Sequence, residues 1–406
     1  MIDRNERQNQ QVEKWANDYN ARSYLVAATG YGKTHVAIKA IQKCNQRDSN
    51  RVIHVVVPTT TLKNAWVKKK TGHVDKHKLK NVEVFVVNTY VKLPRKCDLL
   101  IADEAHRYTS EDAHYFPKVI GETVYNWILC LSATLEPRHV QYLETRGIRK
   151  VDEVTLEECK ANGWVSEFTV VNFGVELDEE DRAKYDKMHK SFNQYFAYFS
   201  HDFDLAMNCL KSRDVREARA RETEIPVDKL YVMAVQWNRN MRERKSFLYH
   251  AHAKMVVAKE IAKIQDRHII CFSESVDFTQ RLSEEIGETA VSFHSKNGIK
   301  ANREALRKFT DRRTRVNCMC TAKAMDEGFD APDADMGIIC SRTSKKLQNI
   351  QRIGRLIRAQ EGKKAIVINL YVKNSQDEIW LRKASRGMKC LWIDDLDILK
   401  RLVESS

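Results

Sequence analysis

The chain has no Cys-x-x-Cys pair, no apolar run of membrane-spanning length, no internal repeat and no low-complexity tract. Each absence removes a class. Ten cysteines are present, at 44, 97, 130, 159, 209, 271, 318, 320, 340 and 390, but they are scattered. Several, such as Cys130, Cys271 and Cys340, sit inside apolar runs. They read as small buried hydrophobes in a reducing compartment, not as a disulfide framework. A membrane span needs roughly 18 or more consecutive apolar residues, and none occurs. The opening Met-Ile-Asp-Arg-Asn-Glu-Arg lacks the apolar core of a secretory signal. The expectation is a protein that works where it is made, in the cytoplasm.

A length of 406 residues exceeds one ordinary core and fits two or three domains. With 43% hydrophobic and 31% charged residues, the chain reads as soluble and globular. A formal net charge of +14 suggests a polyanionic partner without naming it. Acidic and basic residues are mixed along most of the chain, so any basic surface must arise from folding.

Short β-branched runs alternate with helical stretches. Ser23–Thr29, Arg51–Pro58, Val82–Asn88, Asp98–Ala102 and Trp127–Leu131 read as buried strands. A second series follows at His268–Phe272, Ala290–Phe293, Val316–Cys320, Met336–Cys340 and Ala365–Leu370. Buried strands separated by helices imply parallel sheets covered on both faces. The expected fold is α/β with two lobes, at 1–170 and 251–372. Between them, 171–250 reads as a helical insertion, glycine-free from 178 onward with the single proline Pro226. There Tyr185, Met188, Phe192, Tyr195, Phe196 and Phe199 fall on one helix face. That face fits packing, with base stacking as the second reading. Arg239, Arg242, Arg244 and Lys245 beside Trp237 fit either a solvated face or a nucleic-acid contact. Residues 373–406 read as a helical tail anchored by Trp380 and Trp392.

Strand Tyr24–Ala28 runs into Thr29-Gly30-Tyr31-Gly32-Lys33-Thr34 and then a helix. Glycines let the backbone curl so that its N–H groups meet phosphate oxygens, and the helix N-terminus adds its positive dipole end. Lys33 is placed to reach the β- and γ-phosphates and Thr34 to bind Mg²⁺. The strict pattern has glycine at 27, where this chain has Ala27. Asp98–Ala102 ends in Asp103-Glu104, at the carboxyl end of a buried strand, where ligand crevices lie. Asp103 fits the magnesium partner of Thr34, and Glu104 fits the residue that orients and deprotonates the attacking water. Arg355 and Arg358 share a helix face far along the chain. From there a guanidinium can stabilise γ-phosphate charge on closure of the lobes, a contribution typically of about 10³–10⁵ in rate. ATP and Mg²⁺ are thus the expected cofactors.

In this order the motifs resemble those of superfamily 2 helicases, over about 1–175 and 250–372. The resemblance places Arg7 and Gln10 in the adenine-reading motif. Ala28–Thr34 match motif I, Thr59 and Thr60 lie in motif Ia, and Asn88 and Thr89 in motif Ib. Asp103–His106 match motif II and Ser132-Ala133-Thr134 motif III. In the second lobe, Ile270-Cys271-Phe272 resemble motif IV and His294-Ser295-Lys296 motif IVa. Thr321 and Glu327-Gly328-Phe329-Asp330 resemble motif V, and Gln351–Arg358 motif VI. It implies two RecA-like lobes. Thr29, Gly30, Gly32, Gly328, Asp330 and Gln351 would meet the nucleotide, and His106, Ser132 and Thr134 would couple it to the strand-binding face. Thr59, Thr60, Asn88, Thr89, His294, Lys296 and Thr321 would contact DNA. Within the superfamily the resemblance is nearest to XPB-like and phage UvsW-like helicases and restriction-enzyme motors. This implies an ATP-driven DNA helicase or translocase on single-stranded, forked or four-way DNA, acting as a monomer, in host cytoplasm if phage-encoded. A restriction-complex motor subunit, an RNA helicase and a nucleotide-gated clamp stay open as alternatives.

Lys68, Lys69, Lys70, Lys76, Lys78 and Lys80 crowd one loop after motif Ia, as a solvated surface or a DNA contact. His73 and His77 have helical metal-ligand spacing, but their lysine-rich surroundings disfavour Zn²⁺. Asp152 with Glu158-Cys159-Lys160 only faintly matches a nuclease pattern.

Overall fold

Two parallel sheets carry the chain. In the computed structural model, the described residues are 2–92, 95–109, 116–264, 267–322, 334–341 and 364–405. The first sheet has strands β1 (Arg22–Ala27), β2 (Ile53–Val57), β3 (Val82–Val86), β4 (Lys96–Asp103), β5 (Val124–Ser132) and β6 (Arg149–Val154). Their order is β3-β2-β4-β5-β1-β6. The second has β7 (Glu167–Val175), β8 (Ile269–Ser273), β9 (Ala290–His294), β10 (Cys318–Ala322), β11 (Met336–Ile339), β12 (Lys364–Val372) and β13 (Leu391–Ile393). Their order is β13-β7-β12-β11-β8-β10-β9.

Every strand pair in both sheets is parallel. That explains the unalternating sequences. All five residues of β2 are buried, as are all but the first of the nine in β12, because helices cover both faces. Two RecA-like α/β lobes result, and all ten expected strands are present.

The expected boundaries shift. β7 leaves the first lobe's territory and pairs with β12 along nine residues, so the first sheet ends with β6 and residues 167–175 belong to the second. The tail is not a separate appendage. β13 pairs with β7, and Leu399 and Val403 are buried in the second lobe's core. Trp380 packs partly buried against that core. Trp392 stays 40% exposed, its ring edge-on to Tyr371 and under Arg382, so it is not the buried anchor expected.

The insertion forms helices Glu179–Phe196, Phe203–Lys211, Arg213–Thr223 and Val227–Tyr249 around their own core of Phe192, Phe199, Leu230 and Trp237. The aromatic face therefore packs. The basic run divides: Arg244 is buried with its guanidinium 3.9 Å from the Phe192 ring centroid, whereas Arg239 and Arg242 are exposed. Among the described residues, no helix is long and apolar enough to cross a membrane.

Candidate nucleotide site

The carboxyl ends of β1 to β5 lie along one edge of the first sheet, and the expected chemistry collects there. Between β1 and helix Lys33–Arg47 the backbone makes two left-handed turns, at Gly30 (φ 92°) and Gly32 (φ 98°). A Cβ at Gly32 would also stand 3.0 Å from Gln8 Nε2, so only glycine suits this position. Ala27 is the last residue of β1 in ordinary extended backbone, which explains why glycine is not required there. Lys33 Nζ donates to the Ala27 carbonyl at 3.2 Å. Thr34 sits half-buried in the helix's first turn. The Thr29 hydroxyl is buried and has no hydrogen-bond partner.

Asp103 ends β4, is 8% exposed, and accepts from the Glu104 N–H at 3.0 Å. Burial and the neighbouring Glu104 charge push its carboxyl up to about 7, against the opposing pull of Lys33. Glu104 itself is left-handed (φ 56°, ψ 52°), a conformation costing a non-glycine residue about 1–3 kcal/mol. Contacts on either side hold it. His106 Nδ1 lies 3.5 Å from Glu104 Oε2 and 3.1 Å from Ser132 Oγ, and Ser132 Oγ donates to the Thr134 carbonyl at 2.7 Å. Because the Ser132 proton is committed to Thr134, the bond to His106 requires the imidazole proton on Nδ1. Burial lowers His106 to about 4, so its ring is neutral at neutral pH. A continuous polar path thus runs from Glu104 through His106 and Ser132 to Thr134.

These residues fit a nucleotide with a hard divalent cation. The orphaned Thr29 hydroxyl and the glycine cradle suit phosphate oxygens. Asp103 and Thr34 are oxygen donors of the kind Mg²⁺ takes alongside water and phosphate.

The residues of the adenine motif sit on helix Arg4–Asn17. Gln10 is exposed and bonds to Glu6, whereas Gln8 Nε2 donates to the Tyr31 carbonyl and Gln11 accepts from the Tyr31 hydroxyl at 2.9 Å. Helix Arg4–Asn17 buries Gln8, Gln11, Val12 and Trp15 on one face, which turns Gln10 outward. Arg7 is engaged by Asp152 at 3.0 Å and Glu158 at 3.7 Å, so its guanidinium serves an internal ion pair. The same contacts give the nuclease-like Asp152 and Glu158 a structural task.

Among the expected strand contacts, Thr60, Asn88, Thr89 and Lys296 are exposed at the carboxyl edges. Thr59 caps helix Thr60–Val67. His294 and Thr321 are instead 4% and 1% exposed, turned inward at the ends of β9 and β10. They do not offer their side chains to a surface-bound strand. Gly328, Asp330, Gln351, Arg355 and Arg358 lie outside the described residues.

The six loop lysines are all exposed. The loop is firmly built: Trp66 is buried against His73, and a Cβ at Gly72 would meet the Lys68 nitrogen and Trp66 oxygen at 2.6 Å. His77 stacks on His73 and meets His35 of the phosphate-loop helix edge-on. If the lysines hold strand phosphates, Lys76→Ala and Lys78→Ala should each flatten the log affinity against log salt slope by roughly 0.7–0.9. Unchanged slopes in a salt titration of DNA binding would assign the loop to solvent.

A family model described as "Helicase conserved C-terminal domain" matches residues 253–360, and one described as "Type III restriction enzyme, res subunit" matches residues 1–92. The chain is 25% identical to "DNA 3'-5' translocase XPB2" of Sulfurisphaera tokodaii, over 90% of this chain and 81% of that protein. Two solved structures share its fold. The Hef helicase domain of Pyrococcus furiosus superposes with a TM-score of 0.54 at 16% identity, covering 93% of this chain and 97% of that one. The ATP-dependent type ISP restriction-modification enzyme LlaBIII, solved bound to DNA, gives 0.60 at 12% identity, covering all of this chain and 32% of that one. With the phosphate loop inside one matched region and strands β8 to β11 inside the other, these likenesses support a superfamily 2 helicase related to XPB-like translocases and restriction-enzyme motors, and indicate an ATP-hydrolysing enzyme.

Proposed function

We propose that the chain turns ATP hydrolysis into movement along DNA and uses that movement to unwind or migrate branched DNA. The observation that carries this reading is the polar path Glu104–His106–Ser132–Thr134. A residue that handles the attacking water lies 3.5 Å from the His106 ring, which is hydrogen-bonded through Ser132 to the end of the adjacent strand. Loss or gain of the γ-phosphate at Glu104 therefore shifts His106 and the β5 terminus together.

Bound Mg²⁺ would neutralise phosphate charge and polarise the bond to be broken. Thr34 and Asp103 would hold it. Lys33, freed from the Ala27 carbonyl, would meet the β- and γ-phosphates. Glu104 would take the proton of the attacking water. Arg355 and Arg358 would bring the second lobe's charge to the same phosphate, which makes turnover depend on lobe closure. Exposed Thr60, Asn88 and Thr89 would grip a strand by its phosphates, which positions without reading sequence.

The relative's name states 3'-5' translocation, and the same direction is expected here. The restriction-enzyme likeness supports a second reading, a motor subunit within a larger complex. Both predict stimulation by DNA; they part on junctions. The deciding experiment is an ATPase and unwinding panel over linear, forked and four-way DNA and matched RNA. The proposal expects strong DNA stimulation and movement of four-way junctions. Linear translocation without junction movement would leave the restriction-motor reading, preferential RNA stimulation would make it an RNA helicase, and no stimulation by any nucleic acid would end the motor reading.

A further inference from the structure

Strands β8 and β10 lie side by side in the second sheet, with Cys320 opposite Cys271. Side-chain alternation puts Cys318 on the face that Cys320 and Cys271 share. The three Sγ atoms lie within 4.8 Å of one another, and those of Cys271 and Cys318 are 3.8 Å apart. None of the three residues is more than 2% exposed. Met255, Ala258, Phe278 and Leu282 belong to the same buried cluster.

Zinc–sulfur bonds of about 2.3 Å place two ligating sulfurs roughly 3.8 Å apart. One edge of such a polyhedron is already formed, on two strands whose hydrogen bonding fixes it. Soft thiolates select soft cations. We propose that Cys271, Cys318 and Cys320 form a buried site for one thiophilic cation of the Zn(II) or Cu(I) class. Loading Zn(II) would release three thiol protons to solvent and leave one net negative charge. Cu(I) held by two thiolates and one thiol would release two and leave the same charge. Because the site is sealed from water, loading would accompany folding.

The ion would tie the ends of two neighbouring strands. β8 leads into Ser273–Ser275 and β10 into the segment carrying Gly328 and Asp330. It would stiffen the edge of the second lobe that closes on the first. This inference stands whatever nucleic acid the motor uses.

The test uses the full chain, refolded without oxygen in the presence of Zn(II), Cu(I) or Co(II), then desalted against a weak chelator. Elemental analysis should find one retained ion per chain, and the Co(II) form should show a sulfur-to-metal charge-transfer band. Both should vanish in Cys318→Ser/Cys320→Ser and persist in Cys130→Ser. Since two serines in a core can unfold the lobe, the band on the wild-type chain decides independently. A folded wild-type chain that retains no ion, or retains one without the band, overturns the proposal, as does equal retention by a folded double variant.

Discussion

Glu104→Gln should lower DNA-stimulated kcat by roughly 10²–10⁴ while nucleotide binding survives. The substitution keeps the side chain's shape and its reach toward His106, but the amide cannot accept the water's proton. Its effect on Asp103 runs the other way. The Glu104 charge is one of the two causes that raise the Asp103 carboxyl, so removing it makes Asp103 easier to ionise and leaves the cation-binding position intact. The split between binding and turnover is therefore the diagnostic. Steady-state ATPase at saturating DNA, beside titration with a fluorescent nucleotide, measures both. A fall in kcat below about tenfold would remove Glu104 from the base role.

Asp377→Ala should destabilise the second lobe by about 3–5 kcal/mol. Asp377 and Lys254 are both completely buried and meet at 2.5 Å. Lys254 Nζ also donates to the Leu248 carbonyl at 3.1 Å, and Asp377 Oδ2 accepts from the Val372 N–H at 3.1 Å. The pair joins helix His252–Ala262 to helix Gln376–Ala384 and to the end of β12. Deleting the carboxylate strands an ammonium in the core. Replacing both partners by apolar residues, Lys254→Met with Asp377→Leu, should restore most of the loss, since a buried pair adds little beyond its own mutual satisfaction. Chemical denaturation followed by Trp fluorescence reads both variants. A single variant as stable as the parent, or a double variant as unstable as the single, would contradict this account.

What the sequence discloses and what it hides divide along physical lines. Eight of the ten expected strands lie inside the sheets and are legible because parallel strands buried on both faces must be largely apolar, while β3 and β9 are edges that still read as strands from their valines and phenylalanines. β6, with its alternating charges as Arg149-Lys150-Val151-Asp152-Glu153-Val154, is a sheet edge and gives no such run. β13 is three residues long, too short for any period. β7 is apolar enough to read as a strand, but its membership of the second sheet depends on pairing with β12 nearly 200 residues later, which no local pattern encodes. At the site, Lys33, Asp103, Glu104 and His106 are legible because backbone spacing fixes their places. Gln8 was hidden by two nearby glutamines of equal chemistry. Helix phase separates them, since Val12 and Trp15 mark the inward face and Gln8 and Gln11 share it. Burial of His294 and Thr321 is a tertiary property that motif position does not report.

The placement of β7 has a mechanical meaning. After Ser166 the backbone enters the second sheet, and no later described strand joins the first. The insertion begins after β7 and returns through helix His252–Ala262, so both its ends are fastened to the second lobe. One covalent connection therefore separates the sheet that carries the phosphate loop from the sheet to which both ends of the insertion are fastened. A swing of one sheet against the other would carry the insertion with the second sheet.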